Sequence, residues 1–311
     1  MTVVERCHVR DSIREIDANS WLIVGTVLLS RQASPSTSQP SWSDGKGEFF
    51  VISDAPSPLP PSKPISPDSV EIPLIYDAGD QAAVWHVGKA FIKAHDMHLP
   101  LATREHVTLE FLHTKKASID FAIPDVLHHF EVDARYFLIV AELPGQTLDT
   151  VWFTLDEATQ KHYISLIANI INTLASWKGE AVAGVDGQQM LERYFEDKNG
   201  LNLDPANLFR VCSDMGMDMQ SIVFAHCDLG PTNILVDTAK GSVGIIDWEI
   251  AGYVPKDWVR TKMKVSTGLD LETRDRPRRS EWRHGLAQKL GEIGFADVEE
   301  SFRAVFDKRL K

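Results

Sequence analysis

The sequence predicts an α+β fold in two lobes, a small strand-rich one followed by a mainly helical one. Short apolar runs bounded by turn residues recur at 83–93, 136–141 and 221–246, which is the signature of strands. A single long stripe of helical period, Ile164, Ile167, Ile171 and Leu174, lies in the second half. Prolines at 56, 58, 60, 61, 64 and 67 make a semi-rigid connector that cannot join a central sheet and sets the first 69 residues apart.

Residues 1–69 therefore read as an N-terminal extension. Within it Asp11 to Asp17 is expected to form a helical turn, Ser34 to Gln39 is polar and of low complexity, and Glu48 to Ile52 is a strand candidate. That strand would pack against a lobe, or serve as a cap on the substrate side. Residues 70–142 form the strand-rich lobe, with a strand at Ile72–Tyr76, a turn at Asp77–Gln81, and two strands meeting at Gly88-Lys89. After Pro100, the segment from Ala102 to Thr114 is helical, and Glu105, Leu109 and Leu112 fall on one face at i, i+4 and i+7. The apolar strand Tyr136–Ala141 is closed by Glu142-Leu143-Pro144-Gly145. Residues 143–311 are the helical lobe, where Thr154 with Glu157 has the spacing of a capping box ahead of the apolar stripe.

The chemistry concentrates between 224 and 249. Asp228, Asn233 and Asp247 interrupt residues that would otherwise build buried strands, and a buried carboxylate needs a cation or donors to offset its lost hydration. Asp237 to Gly241 supplies turn residues, so Ile234–Val236 and Val243–Ile246 read as a hairpin. Pairing Asp237 with Ser242 brings Asn233 opposite Ile246 and Asp247, so two oxygen ligands meet beside Asp228. Mg²⁺ prefers oxygen ligands and usually binds through one or two carboxylates together with substrate phosphates.

His226-Cys227-Asp228 with Asn233, followed by Ile246-Asp247-Trp248-Glu249, resembles the aminoglycoside phosphotransferase and choline kinase-like family. The resemblance covers roughly residues 70–265. It implies a protein-kinase-like two-lobe fold and ATP-dependent phosphoryl transfer to a hydroxyl of a metabolite or amine. By residue match, Asp228 would be the catalytic base or orient the acceptor hydroxyl, Asn233 and Asp247 would hold Mg²⁺, and His226 would support the loop. Cys227 departs from the pattern, standing where the family usually has Gly. A kinase-like site also needs a strand Lys on the nucleotide phosphates and a helical Glu to hold it. Lys93, at the end of its strand, and Glu105 fit that order, with Glu110 as the alternative acid on a face shared with His106 and His113. The resemblance further places Gly79 in the phosphate-covering turn and Ala141, Glu142 and Leu143 in the hinge that holds adenine.

With 311 residues, 43% apolar and 24% charged, the composition is that of an ordinary globular enzyme. A net charge of −12 argues against nucleic acid as partner. The longest apolar run, Trp21 to Leu29, is too short to span a membrane. Without a secretory signature, and with three cysteines in no paired spacing, the expected home is the cytoplasm. Asp186, Glu192, Glu196, Asp197, Asp204, Asp214 and Asp218 would give an acceptor pocket an acidic wall and favour a cationic acceptor. Arg274, Arg276, Arg278, Arg279 and Arg283 form one basic patch, read either as a solvated arm or as a contact for an acidic substrate. Two further functions stay open. One is a catalytically quiet, kinase-like nucleotide-binding protein. The other is a Cys-dependent hydrolase using Cys227 beside His226, though neighbours on an extended chain point opposite ways.

Overall fold

The computed structural model describes residues 7–196 and 202–309 and divides into two compact units, Met1–Pro100 with Pro124–Glu142, and Leu101–Ile123 with Leu143–Lys311. Strands dominate the first unit and helices the second, the α+β class expected.

The first unit holds two antiparallel sheets. One has the order β4-β5-β3-β2-β1-β6, from β1 (Ile13–Asp17), β2 (Ser20–Ile23), β3 (Val27–Gln32), β4 (Ser41–Ser43), β5 (Phe49–Asp54) and β6 (Lys63–Pro64). The other has the order β10-β11-β9-β8-β7, from β7 (Leu74–Asp77), β8 (Ala82–Val87), β9 (Ala90–Asp96), β10 (Val126–Val132) and β11 (Arg135–Ala141). The expected helical turn at Asp11–Asp17 is mostly strand. A tight turn, in which the Asn19 N–H bonds Asp17 Oδ1 at 2.9 Å, folds β1 onto β2 and holds the segment extended. Glu48 to Ile52 largely coincides with β5. The proline-rich stretch contributes only β6 at the sheet edge, where a missing N–H is tolerated.

The two sheets share one core. Trp21, Trp42, Phe50 and Ile52 from the first cluster with Trp85, Ile92, Phe137 and Ile139 from the second. Trp42 Nε1 donates to the Val87 carbonyl at 2.8 Å, and the Lys89 N–H donates to Ser43 O at 2.9 Å. Gly88 between them has φ +59°, and a Cβ there would lie 2.7 Å from both Ser43 O and Asp44 Cα. Only glycine lets the β8–β9 turn meet β4 so closely. The segment read as an extension is thus integral to the packing of its unit.

The second unit opens with α1 (Glu105–Thr114), then β12 (Gln146–Thr147), α2 (Leu148–Val151), α3 (Glu157–Leu174) and α4 (Pro205–Asp214). β13 (Ile222–Ala225), β14 (Ile234–Asp237), β15 (Ser242–Ile245) and β16 (Gly252–Pro255) follow, and α5 (Lys256–Val265), α6 (Glu281–Glu292) and α7 (Glu299–Arg309) close the chain. Ile167, Ile171 and Leu174 are buried on α3, with Ile164 against Gly285 of α6. The N-cap of α3 is Asp156, which accepts the Thr159 N–H at 2.7 Å, in place of the expected Thr154. Asp bonds an orphan N–H of the first turn and carries a charge that suits the helix N-terminus. None of the described helices is long and apolar enough to cross a membrane.

Candidate active site

Two small sheets of the second unit, β13–β16 and β12-β14-β15, carry the loop from His226 to Asn233. The β14–β15 hairpin has the register expected from the sequence: Asp237 faces Ser242, Ile234 faces Ile245, and the Ile246 N–H reaches Asn233 O at 3.1 Å. Asn233 and Asp247 are thereby brought to one end of the hairpin. Asp228, Asn233 and Asp247 are half-buried, whereas Ala225, His226, Cys227, Leu229, Ile245 and Trp248 around them are buried. A dry scaffold thus holds three accessible polar tips.

The loop is fixed by its own hydrogen bonds. His226 is 2% exposed; Nδ1 accepts the Asp228 N–H at 3.2 Å, which makes Nε2 the protonated nitrogen donating to Ile246 O at 2.9 Å. One ring therefore ties the loop that follows β13 to the segment that presents Asp247. Asn233 Nδ2 donates to Asp228 O at 2.9 Å and Oδ2 at 3.3 Å. Burial pushes the Asp228 carboxyl above the usual range and the Asp247 charge adds to this, while Lys262 and the Asn233 bond oppose them. The Asp247 carboxylate and the Asn233 amide oxygen are both oxygen donors of the kind a hard divalent cation takes. Among the described residues no cluster of three or more His, Cys, Asp or Glu could hold a metal alone, so any ion here would need further ligands.

Asp247 has φ +64° and ψ +60°, the left-handed region, at the mouth of the single turn Trp248–Ile250. Such a conformation is tolerated by Asp better than by most residues. The Trp248 N–H that follows donates to Glu105 Oε1 at 3.1 Å. Glu105 is 3% exposed and shares its buried face with Leu109 and Leu112, whereas Glu110 is exposed. α1 is thus fastened to the Asp247 turn, a link that no sequence spacing announces.

The remaining expected residues lie in the first unit, except Leu143. Lys93 is 9% exposed on β9, between Ile92 and Ala94, which face the two-sheet core, so it lies on the opposite face. Gly79 has φ +67°, and its N–H bonds Asp77 Oδ1 at 2.8 Å inside the β7–β8 turn. The Ala141 N–H is committed to Asp125 O and the Glu142 N–H to Lys89 O, both at 2.9 Å. The Glu142 carboxylate pairs with Lys89 at 2.9 Å and lies 3.4 Å from His86. Leu143 begins the second stretch of the second unit, with its side chain against Gly244.

Behind the loop is a buried pair that the sequence did not suggest. Lys262 Nζ contacts Glu192 Oε2 at 2.6 Å, and Trp258 Nε1 donates to the same oxygen at 3.1 Å. Burial acts to lower the Lys262 ammonium, but Glu192, together with Cys227 and Asp228 nearby, holds the group above the ordinary lysine value. Lys262, His226, Cys227, Leu229 and Trp258 line one small cavity. Cys227 has φ +62°, the left-handed region, which gives the family's preference for Gly at this position a conformational reason. Burial, then the charge of Glu192, pushes its thiol far up, and both ring nitrogens of His226 are engaged with backbone, so Cys227 lacks the activated thiolate of a hydrolase.

The acidic residues of 181–220 are scattered among structural tasks. Asp186 accepts Thr103 Oγ1 at 2.6 Å, Asp204 accepts Gln189 at 2.8 Å, Asp214 pairs with Arg210 at 3.1 Å, and Asp218 accepts the Gln220 N–H at 2.9 Å. Asp197 lies outside the described residues.

Residues 84–255 match the model of the phosphotransferase enzyme family, a span that runs from β8 through the whole His226–Asn233 loop to β16. Among solved structures, the chain is similar to aminoglycoside phosphotransferase APH(3'')-Id from Streptomyces rimosus, with 18% identity, 78% of this chain and 93% of that one covered, and a TM-score of 0.49. It is similar also to an aminoglycoside-3'-phosphotransferase of type VIII (12% identity, 78% and 96% covered, TM-score 0.47). A third is the streptomycin–ATP–APH(2")-IIa ternary complex (14% identity, 77% and 81% covered, TM-score 0.48). No curated protein sequence matches the chain.

Proposed function

The chain belongs to the phosphotransferase enzyme family, and from that membership we propose that it transfers the γ-phosphoryl group of ATP to a hydroxyl of a small molecule. The observation that carries this reading is the half-exposed set Asp228, Asn233 and Asp247 at one end of a buried hairpin, with the Asn233 side chain bonded to Asp228. Asp228 accepts the acceptor's hydroxyl proton as that oxygen bonds to the γ-phosphorus. The bond from phosphorus to the bridging oxygen breaks, and ADP leaves. Asn233 and Asp247 would hold Mg²⁺, which when bound neutralises charge on the phosphates. Positioning and electrostatics then supply most of the rate.

Lys93, anchored by Glu105, is the proposed contact to the nucleotide phosphates, and the Gly79 turn the proposed cover. With the Ala141 and Glu142 N–H groups committed to backbone partners, adenine would be read by their carbonyls or by the Leu143 N–H. The acidic residues tied up in structural roles give little support to a cationic acceptor.

ADP formation with hydroxylated acceptors tests the reaction, and thermal denaturation with Mg-ATP tests the site. Mg-ATP should raise the wild-type Tm, and Asp247→Ala should lose most of that shift. An undiminished shift in the variant removes Asp247 from the metal site. Nucleotide binding without turnover of any acceptor would favour the catalytically quiet protein. A Lys93→Ala/Glu105→Ala cycle whose losses in kcat/KM simply add would dissolve the proposed pair.

A further inference from the structure

The five arginines of the C-terminal patch divide in the structure into two kinds. Arg283 is 5% exposed and consumed by packing: Nε pairs with Asp270 at 2.7 Å, and Nη1 donates to the Met263 and Lys264 carbonyls at 2.8 Å each. Arg278 pairs with Glu281 at 2.8 Å and lies 4.4 Å over the Phe153 ring. Arg274, Arg276 and Arg279 are exposed and have no hydrogen-bond or ion-pair partner among the described side chains.

The segment bearing these three is fastened beside the catalytic loop. Leu269 and Leu271 are buried at 1% and 0%, and Leu269 lies over Gly230, where an added Cβ would come within 3.4 Å of its side chain. The Glu272 N–H donates to Asp149 Oδ1 at 2.6 Å, and the Asp149 N–H donates to Pro231 O at 3.1 Å. Two hydrogen bonds therefore lead from the loop of Asp228 to the root of the arginine segment. The Leu271 N–H bonds the Arg279 carbonyl at 2.8 Å, closing 271–279 into a loop. Its carboxylates are Glu272 and Asp275, and its cations are Arg274, Arg276, Arg278 and Arg279.

Three guanidinium groups without partners within six residues of a pinned loop raise the local positive potential, and an oxyanion received there would be held by charge-assisted, often bidentate hydrogen bonds. In a chain of net charge −12, such a site beside the reacting centre selects by charge. We propose that the hydroxylated acceptor is anionic, its carboxylate or phosphate-ester group received by Arg274, Arg276 and Arg279 while its hydroxyl is presented to Asp228. This rests on the phosphotransferase reading and fixes the charge class of its substrate.

The test uses the full chain, wild type and Arg274→Gln/Arg276→Gln/Arg279→Gln, and two acceptor series matched in skeleton. Glycerate, glycerol 3-phosphate, glycerol and 3-amino-1,2-propanediol form one; gluconate, glucose 6-phosphate, glucose and glucosamine form the other. Binding is followed by calorimetry without nucleotide, and turnover by ADP release. The anionic members should bind and be phosphorylated in preference to their neutral and cationic partners, and the triple variant should weaken them tenfold or more. Comparison of the carboxylate with the phosphate ester in each series identifies which anion is preferred. Equal or better use of neutral or cationic members, unchanged anion affinity in the variant, or no anion binding to the wild type each overturns the proposal. The Mg-ATP Tm shift is read separately. An intact shift with no anion binding removes the substrate class and leaves phosphoryl transfer standing, whereas anion binding with no Mg-ATP shift overturns the phosphotransferase reading and the acceptor class with it, leaving only an anion-binding loop.

Discussion

Glu105 accepts the backbone N–H of Trp248 at 3.1 Å, so the first turn of α1 holds the residue that follows Asp247. Both groups are buried, and Asp247 itself sits in a left-handed conformation that its surroundings must maintain. Glu105→Ala strands a buried N–H, which destabilises by about 1–3 kcal/mol. Glu105→Gln keeps an acceptor oxygen at that place and should recover most of the lost stability in urea unfolding. Both variants should weaken Mg-ATP binding, because both remove the negative charge proposed to hold Lys93. If Glu105→Gln binds nucleotide like the wild type, the charge is not used and Glu105 serves only to fix the turn.

Asp228 is proposed as the group that takes or orients the acceptor hydroxyl, and Asn233 already bonds its carboxylate at 3.3 Å. Asp228→Asn should preserve the Mg-ATP Tm shift while turnover falls by about 10² or more. Turnover retained with a working acceptor would assign the role to another residue.

The hairpin that carries the site was legible because short-range chemistry specifies it. Turn residues at Asp237–Gly241 set the register, and a period of two then carries Asn233 to the level of Ile246. Glu105 was legible as an inward-facing acid from the helical spacing it shares with Leu109 and Leu112. Two other features were opaque for opposite reasons. At Asp11–Asp17 a helical turn was expected, while tertiary pairing with β2 and β6 made Ile13–Asp17 a strand. Glu192 and Lys262 gave no local signal at all, being 70 residues apart and joined only by folding.

That buried pair makes a stability prediction. Removing one partner leaves an uncompensated buried charge, so Lys262→Met or Glu192→Leu alone should destabilise by about 3–5 kcal/mol, whereas the double variant should be far less impaired. Both side chains are at most 7% exposed, which places the pair in the regime where desolvation governs. Urea unfolding of the two singles and the double measures the coupling. Additive losses would show that the two charges do not depend on each other.

Cys227 separates backbone strain from thiol chemistry. At φ +62° a residue with a Cβ is strained by roughly 1–2 kcal/mol relative to Gly. Against this, Gly loses more backbone entropy on folding, by about 0.4–1 kcal/mol, and gives up the packing of a buried sulfur. Cys227→Gly should therefore stay within about 1 kcal/mol of the wild type. Cys227→Ala keeps the strain and loses the sulfur, so it should be less stable, and β-branched Cys227→Val should be worst of the three in chemical denaturation. Gly and Ala variants should retain turnover, since the buried thiol is held protonated and His226 is occupied by the backbone on both sides. Loss of activity in a well-folded Cys227→Ala protein would instead make the sulfur a participant and revive the hydrolase reading.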